Sequence, residues 1–216
     1  MTELAAHFLD AAAARTASPG AASAIDMLEW LTSSIAADRD AGLFAAWGRS
    51  TAIDENVGTA VLPEPAFRHL HELAGADSAW PIANAGVLHC YGYLLSRTRT
   101  PYGLKRERWL GSDLSRAYGL PDDAFVPWTG GPTLLERATE AATALLRSPA
   151  AAGEADVDGR AARVALTAAS GPAALAYAVA SAAGDEPLLV TTFPVADAAA
   201  VLEEFAADQR LRWNAV

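Results

Sequence analysis

The chain has 216 residues, with 16 basic and 26 acidic side chains and a formal charge of -10. That length suits one large domain with a full core, and the acidity argues against a broad docking face for nucleic acid or an anionic membrane. Hydrophobic residues make up 52% of the composition, yet no run approaches the roughly 18 residues of a membrane span. The start Met1-Thr2-Glu3 lacks the basic and apolar regions of a secretory leader, so a cytoplasmic location is expected.

Two helices are predicted over 4–15 and 23–38, separated by the breaker Ser18-Pro19-Gly20. The second carries Ile25, Leu28, Leu31 and Ile35 at helical spacing, with Trp30 at the flank of that stripe. Short strands are expected at 42–47 and 59–62. Pro63 and Pro65 then introduce a short helix through Leu73, stopped by Gly75.

After Trp80-Pro81, the segment from Gly86 to Leu110 reads as a long β-hairpin. Thr100-Pro101-Tyr102-Gly103 fits a type I turn followed by a G1 bulge. That turn would pair Thr100 with Leu104, Arg97 with Glu107, Leu95 with Trp109 and Leu94 with Leu110.

Ser112 is expected to cap a helix ending at Gly119, and Thr133 with Glu136 makes a capping-box pattern for a helix to Arg147. Residues 149–159 are small, acidic and patternless, which reads as a linker-like loop. It would join a first part of helices and hairpin, 1–148, to a strand-rich C-terminal part, 160–216, completing the same domain. Strands are expected at 162–168, 174–180 and 187–193, then a helix at 197–207 and a last strand at 211–215. The sum is an α+β fold, a mainly antiparallel sheet with a long central β-hairpin packed by several short helices.

The predicted hairpin holds most of the unusual chemistry. Arg97, Arg99, Lys105, Arg106 and Arg108 stand against one acid, Glu107, in an otherwise acidic chain. Arginine's planar fork suits bidentate carboxylate or phosphate recognition, so Arg97, Arg99, Arg106 and Arg108 are candidate substrate-binding residues. In the proposed register Arg106 and Arg108 lie opposite Arg97, so only a subset can converge on one ligand. A period of two places His89, Tyr91 and Tyr93 in a row on one face. They are the catalytic candidates, His89 as general acid or base and the tyrosines orienting an oxygen-rich ligand. The alternative is a set of ordinary strand aromatics beside a solvated tip whose charges protect an edge strand.

Cys90, the chain's single cysteine, cannot form an internal disulfide and would point away from His89, so a buried, inert thiol is expected. His69 and His71 diverge if their segment is helical, and no metal site is expected. Gly130-Gly131-Pro132-Thr133 would suit an anion at a helix start, or simply a turn before the cap. Phosphate-loop, dinucleotide and nucleophile-elbow motifs are missing from the sequence.

An arginine-bearing hairpin together with the late strand Glu186-Pro187-Leu188-Leu189-Val190-Thr191-Thr192-Phe193-Pro194 resembles chorismate lyase over short segments. The resemblance implies an antiparallel α+β design and carboxylate binding by arginine. That family's C-terminal strand supplies a glutamate where this chain has Thr191-Thr192-Phe193, so pyruvate elimination is not implied.

The expected function is a cofactor-independent, lyase-like enzyme of small-molecule biosynthesis acting on a small carboxylate- or phosphate-bearing substrate. The alternative is a non-catalytic ligand-binding or partner protein using the basic segment. The expected partner is a small anionic molecule, with no cofactor, nucleic acid or membrane involved.

Overall fold

Apolar stripes and local breakers organise the first half of the chain. The computed structural model describes residues 2–17, 20–182 and 184–216. Helices α1 (Thr2–Arg15), α2 (Ala21–Asp26) and α3 (Glu29–Asp40) come first; the expected breaker residues Ser18 and Pro19 lie outside the described residues. The predicted second helix is divided at Leu28, whose φ of -92° and ψ of 75° leave the α region. Its stripe is nonetheless buried as a unit: Ile25, Leu28, Leu31 and Ile35 all face the core.

Residues 43–46 form a 3₁₀ turn instead of a strand, and Ala60 makes only an isolated bridge to Ile53. Strand β1 (Arg49–Thr51) pairs antiparallel with β2 (Ile82–Asn84), and α4 (Glu64–Ala74) lies between them in sequence. Pro63 and Pro65 open α4, and Gly75 closes it with the left-handed φ of 61° that glycine tolerates.

The segment from Gly86 to Leu110 is not a hairpin. Val87–Gly92 winds as a π-helix and continues into the short α5 (Tyr93–Leu95), with every residue from Val87 to Leu95 buried. A half-buried strand needs a solvated face, and this stretch has none. It runs through the core against α1 and α4. Gly86 permits that passage, since a Cβ there would lie 2.9 Å from Trp47 Cγ and 3.0 Å from Leu135 Cδ1.

Only the tip pairs as predicted in kind. Strands β3 (Arg99–Thr100) and β4 (Gly103–Leu104) match Arg99 with Leu104 and Thr100 with Gly103, one residue off the expected register. Glu107 ends the pairing: its Oε2 accepts from the Leu104 N–H at 2.9 Å, and the chain turns into α6 (Glu107–Leu110), which buries Trp109. Helices α7 (Asp113–Ala117) and α8 (Leu134–Arg147) follow, and Thr133 Oγ1 accepts from the Glu136 N–H at 3.1 Å as the capping box requires.

The second half is a four-stranded antiparallel sheet in the order β5 (Ala151–Val157), β6 (Arg160–Leu166), β7 (Ala173–Ala180), β8 (Leu188–Val195). The expected linker is therefore mostly β5. Its small residues admit α9 (Ala198–Ala207): a Cβ on Gly153 would sit 3.0 Å from Phe205 Cδ1. On one face, Ala165, Ala174, Ala176 and Leu189 join the main core with α8. On the other, Val164, Leu175 and Tyr177 pack with Phe205 and Trp213.

The predicted last strand is replaced by a turning segment in which Trp213 and Asn214 have φ of 53° and 69°. Ala215 bridges back to Ser50. The class is α+β with antiparallel sheets, and no helix among the described residues is long and apolar enough to cross a membrane.

Candidate functional site

The π-helix, α6, β8 and the C-terminal segment meet around a cavity of about 640 Å³. The helix brings His89 and Tyr93, four residues apart, to its wall with ring centroids 4.7 Å apart and planes tilted by 27°. Trp109 Nε1 donates to the His89 carbonyl at 2.7 Å, tying α6 to that helix.

His89 is 2% exposed, and its Nε2 lies 3.0 Å from Ser50 Oγ. The same hydroxyl lies 3.0 Å from the Asn214 carbonyl, an obligate acceptor. Ser50 has one proton; given to the carbonyl, it leaves Ser50 to accept from Nε2–H. In that tautomer Nδ1 is a bare lone pair, and this buried atom has no hydrogen-bond partner among the described residues. Burial, with Arg108 and Lys105 nearby, holds the imidazole pKa well below the ordinary histidine value. His89 is therefore an uncharged imidazole near pH 7.

Lys105 and Arg108 stand one helical turn apart, with the Arg108 N–H 3.3 Å from the Lys105 carbonyl. Lys105 forms a salt bridge with Asp54, whose side chain is fully buried. Burial pushes the Asp54 carboxyl up, but the Lys105 ammonium and the Asn56 donors outweigh it and hold the group ionised. Arg108 differs. Its Nη1 donates to Thr191 Oγ1 at 2.9 Å, and its guanidinium lies 5.1 Å from the Tyr93 ring centre, 5.3 Å from Phe193 and 5.8 Å from Trp109.

No carboxylate reaches salt-bridge distance of Arg108 among the described residues. The other cationic side chains on the cavity wall are matched. Arg212 contacts Glu204 at 2.6 Å, and Arg210 contacts Asp208 at 2.6 Å. Glu55, also on the wall, accepts from the Trp213 N–H at 3.1 Å, and burial raises its pKa. The cavity thus combines an unpaired guanidinium, a neutral imidazole and aromatic faces from Tyr93, Phe193 and Trp213.

The sequence-predicted residues divide accordingly. His89, Tyr93 and Arg108 line the cavity. Tyr91 does not, because its hydroxyl donates to Asp38, a buried carboxylate that also receives the Thr133 hydroxyl. Arg106 turns the other way to pair with Asp10 of α1. Arg97 and Arg99 are exposed and outside the cavity.

Cys90 is buried, and burial pushes its thiol pKa well up. His69 contacts Asp26 at 2.7 Å while His71 Nδ1 donates to the Phe67 carbonyl at 2.7 Å. No group of three His, Cys, Asp or Glu side chains is placed to hold a metal among the described residues. Sequence reasoning missed Asp54, Glu55, Thr191 and Trp213, which reach the cavity through long-range packing. The Asp54-Glu55-Asn56 run and the Thr191-Thr192-Phe193 stretch of the late strand were the local signals for them.

The sequence matches no family model, and comparison with curated proteins and with solved structures returns no significant match.

Proposed function

We propose that the protein is a cofactor-independent enzyme that takes a small carboxylate- or phosphate-bearing molecule into this cavity, anchors it on Arg108 and uses His89 as proton acceptor. The observation that carries the reading is Arg108 itself: a cavity-lining guanidinium held by one hydroxyl and three aromatic rings, with no carboxylate at salt-bridge distance among the described residues. A guanidinium has five N–H donors, and one is committed to Thr191. Withdrawal from water makes its remaining donors strong toward an anion. His89 supports the chemical half of the reading, since a depressed pKa beside a cation is a common mark of catalytic sites.

A second reading, ligand binding without turnover, is favoured by the near-complete enclosure of the His89 ring. Both share the anion anchor. The test is titration of phosphate, lactate and succinate into the wild type, Arg108→Gln and Arg108→Lys, followed by calorimetry. Saturable binding to the wild type that falls at least tenfold in Arg108→Gln, about 1.4 kcal/mol, supports the anchor. Equal affinity in all three proteins would refute it. Retained anion affinity in His89→Gln, with turnover lost once a substrate is found, separates catalysis from simple binding.

A further inference from the structure

Beside the anion anchor lies an amine whose setting is that of a carbonyl-attacking nucleophile. We propose that Lys105 forms an imine with the carbonyl of a 2-oxo acid whose carboxylate rests on Arg108. The inference rests on the anion-anchor reading and narrows its ligand from anions in general to carboxylates bearing an adjacent carbonyl.

Three observations converge on it. First, Lys105 and Arg108 share one side of a single turn and both approach the Tyr93 ring, with Nζ 5.3 Å and the guanidinium carbon 5.1 Å from its centre. Both side chains line the same cavity, so a carboxylate on Arg108 would bring its neighbouring carbonyl to the wall that carries Lys105. Second, the Lys105 side chain is only 12% exposed, so burial first, and then Arg108, pull the amine pKa down. A desolvated lysine beside a second cation is a recognised route to a nucleophilic amine at neutral pH. Third, Asp54 is placed to take the proton. The Lys105 ammonium is the chief influence holding its pKa down, and as that charge is lost the burial of the carboxyl, which pushes its pKa up, is opposed only by the Asn56 donors, so the proton given up by Nζ has a neighbouring oxygen to receive it.

The step balances without a co-reactant. Neutral Nζ adds its lone pair to the carbonyl carbon, the carbonyl π pair moves to oxygen, and one of the two remaining Nζ protons passes to that oxygen, giving a neutral carbinolamine while Asp54 keeps the proton it took first. The nitrogen then expels that hydroxyl as water, with the proton held on Asp54 assisting departure, and the C=N bond forms. Water reverses the sequence.

Lys105 is the only lysine in the chain, which makes the test specific. The intact protein would be incubated with pyruvate or phenylpyruvate and cyanoborohydride, and the reduced adduct located by peptide mass mapping. The expected result is labelling at Lys105 that is at least tenfold faster than at the chain's α-amino group. Lactate, which carries the carboxylate without the carbonyl, should slow labelling in the wild type, and labelling should fall in both Arg108→Gln and Arg108→Lys. Lactate binding that needs Arg108, with no adduct at Lys105, would overturn the imine and leave the anion anchor standing. Labelling insensitive to both lactate and Arg108 would overturn the proposed arrangement. If neither adduct nor Arg108-dependent anion binding is seen, both readings fall together.

Discussion

Two cations one turn apart should respond oppositely to the same substitution. In Lys105→Met, Asp54 keeps the Asn56 backbone and side-chain donors on Oδ1, at 2.9 and 3.3 Å, but loses the charge that pairs Oδ2. Removing one member of a buried pair typically costs about 3–5 kcal/mol. Arg108→Met removes one charge-assisted hydrogen bond, about 1.5–3 kcal/mol, and three ring contacts, each about 0.5–2 kcal/mol depending on how far the cation is desolvated. Against that loss stands relief of an uncompensated, poorly solvated cation, which is worth several kcal/mol.

That relief offsets much of the loss for Arg108, so its substitution should cost less than the about 3–5 kcal/mol of Lys105→Met. Lys105→Met should be the more damaging of the pair, and adding Asp54→Asn should restore part of the loss. Urea unfolding of the three variants and the wild type measures this directly. Ligand binding should reverse the ranking of importance. Two guanidinium bonds to a carboxylate contribute about 3–6 kcal/mol, so Arg108→Met should lower affinity by at least about a hundredfold. An Arg108→Met protein as unstable as Lys105→Met, with anion affinity intact, would make Arg108 a structural residue and sink the argument.

Asp38 should tilt the pH profile of stability. Burial raises its pKa above the ordinary 3.8 against the opposing Thr133 and Tyr91 bonds. Its favourable contribution is complete below that value and is lost as pH rises through the higher folded-state pKa. Asp38→Asn should therefore gain on the wild type as pH increases over that interval in denaturant titrations; a parallel pair of curves would refute this. His89 has the opposite linkage, because burial lowers its pKa well below 6.5. Stability should fall as pH drops below 6.5, when the unfolded chain binds a proton that the folded state resists, and His89→Gln should show a shallower fall. His71, also depressed by burial, retains its share of the slope. Cys90→Ser should leave anion affinity within about threefold, under 1 kcal/mol, and the native thiol should react with a disulfide reagent far more slowly than after unfolding.

Local signals located the helices that end on local chemistry. Gly75 closes α4, Thr133 and Glu136 open α8, and Asp197 opens α9 by accepting from the Ala199 N–H at 3.0 Å. Each device acts within four residues, so neighbouring sequence suffices to read it. The 86–95 segment lacks such a device and is buried all round, so its apolar residues satisfy a period of two as readily as a helical one. β5 fails for the complementary reason. Its alanines and Gly153 carry little hydrophobic contrast, and pairing with β6 plus the cover of α9 makes it a strand.

The same ambiguity explains why part of the site was legible despite the wrong element. Positions four apart share a face in a strand and lie near one another on a helix, so His89 and Tyr93 stay together under either reading. Positions two apart share a strand face but diverge on a helix, which sends Tyr91 to Asp38. Around α6 the rule separates Arg106, directed to Asp10, from Arg108, directed to the cavity, while a spacing of three returns Lys105 to Arg108's side. What no local period could supply is that, among the described residues, no carboxylate comes within salt-bridge distance of Arg108. Asp54, Asp10 and Glu204 each neutralise a different cation, and those pairings are set by tertiary packing. The guanidinium that, among the described residues, is left without a salt bridge on the cavity wall therefore becomes recognisable only after the others have found their partners.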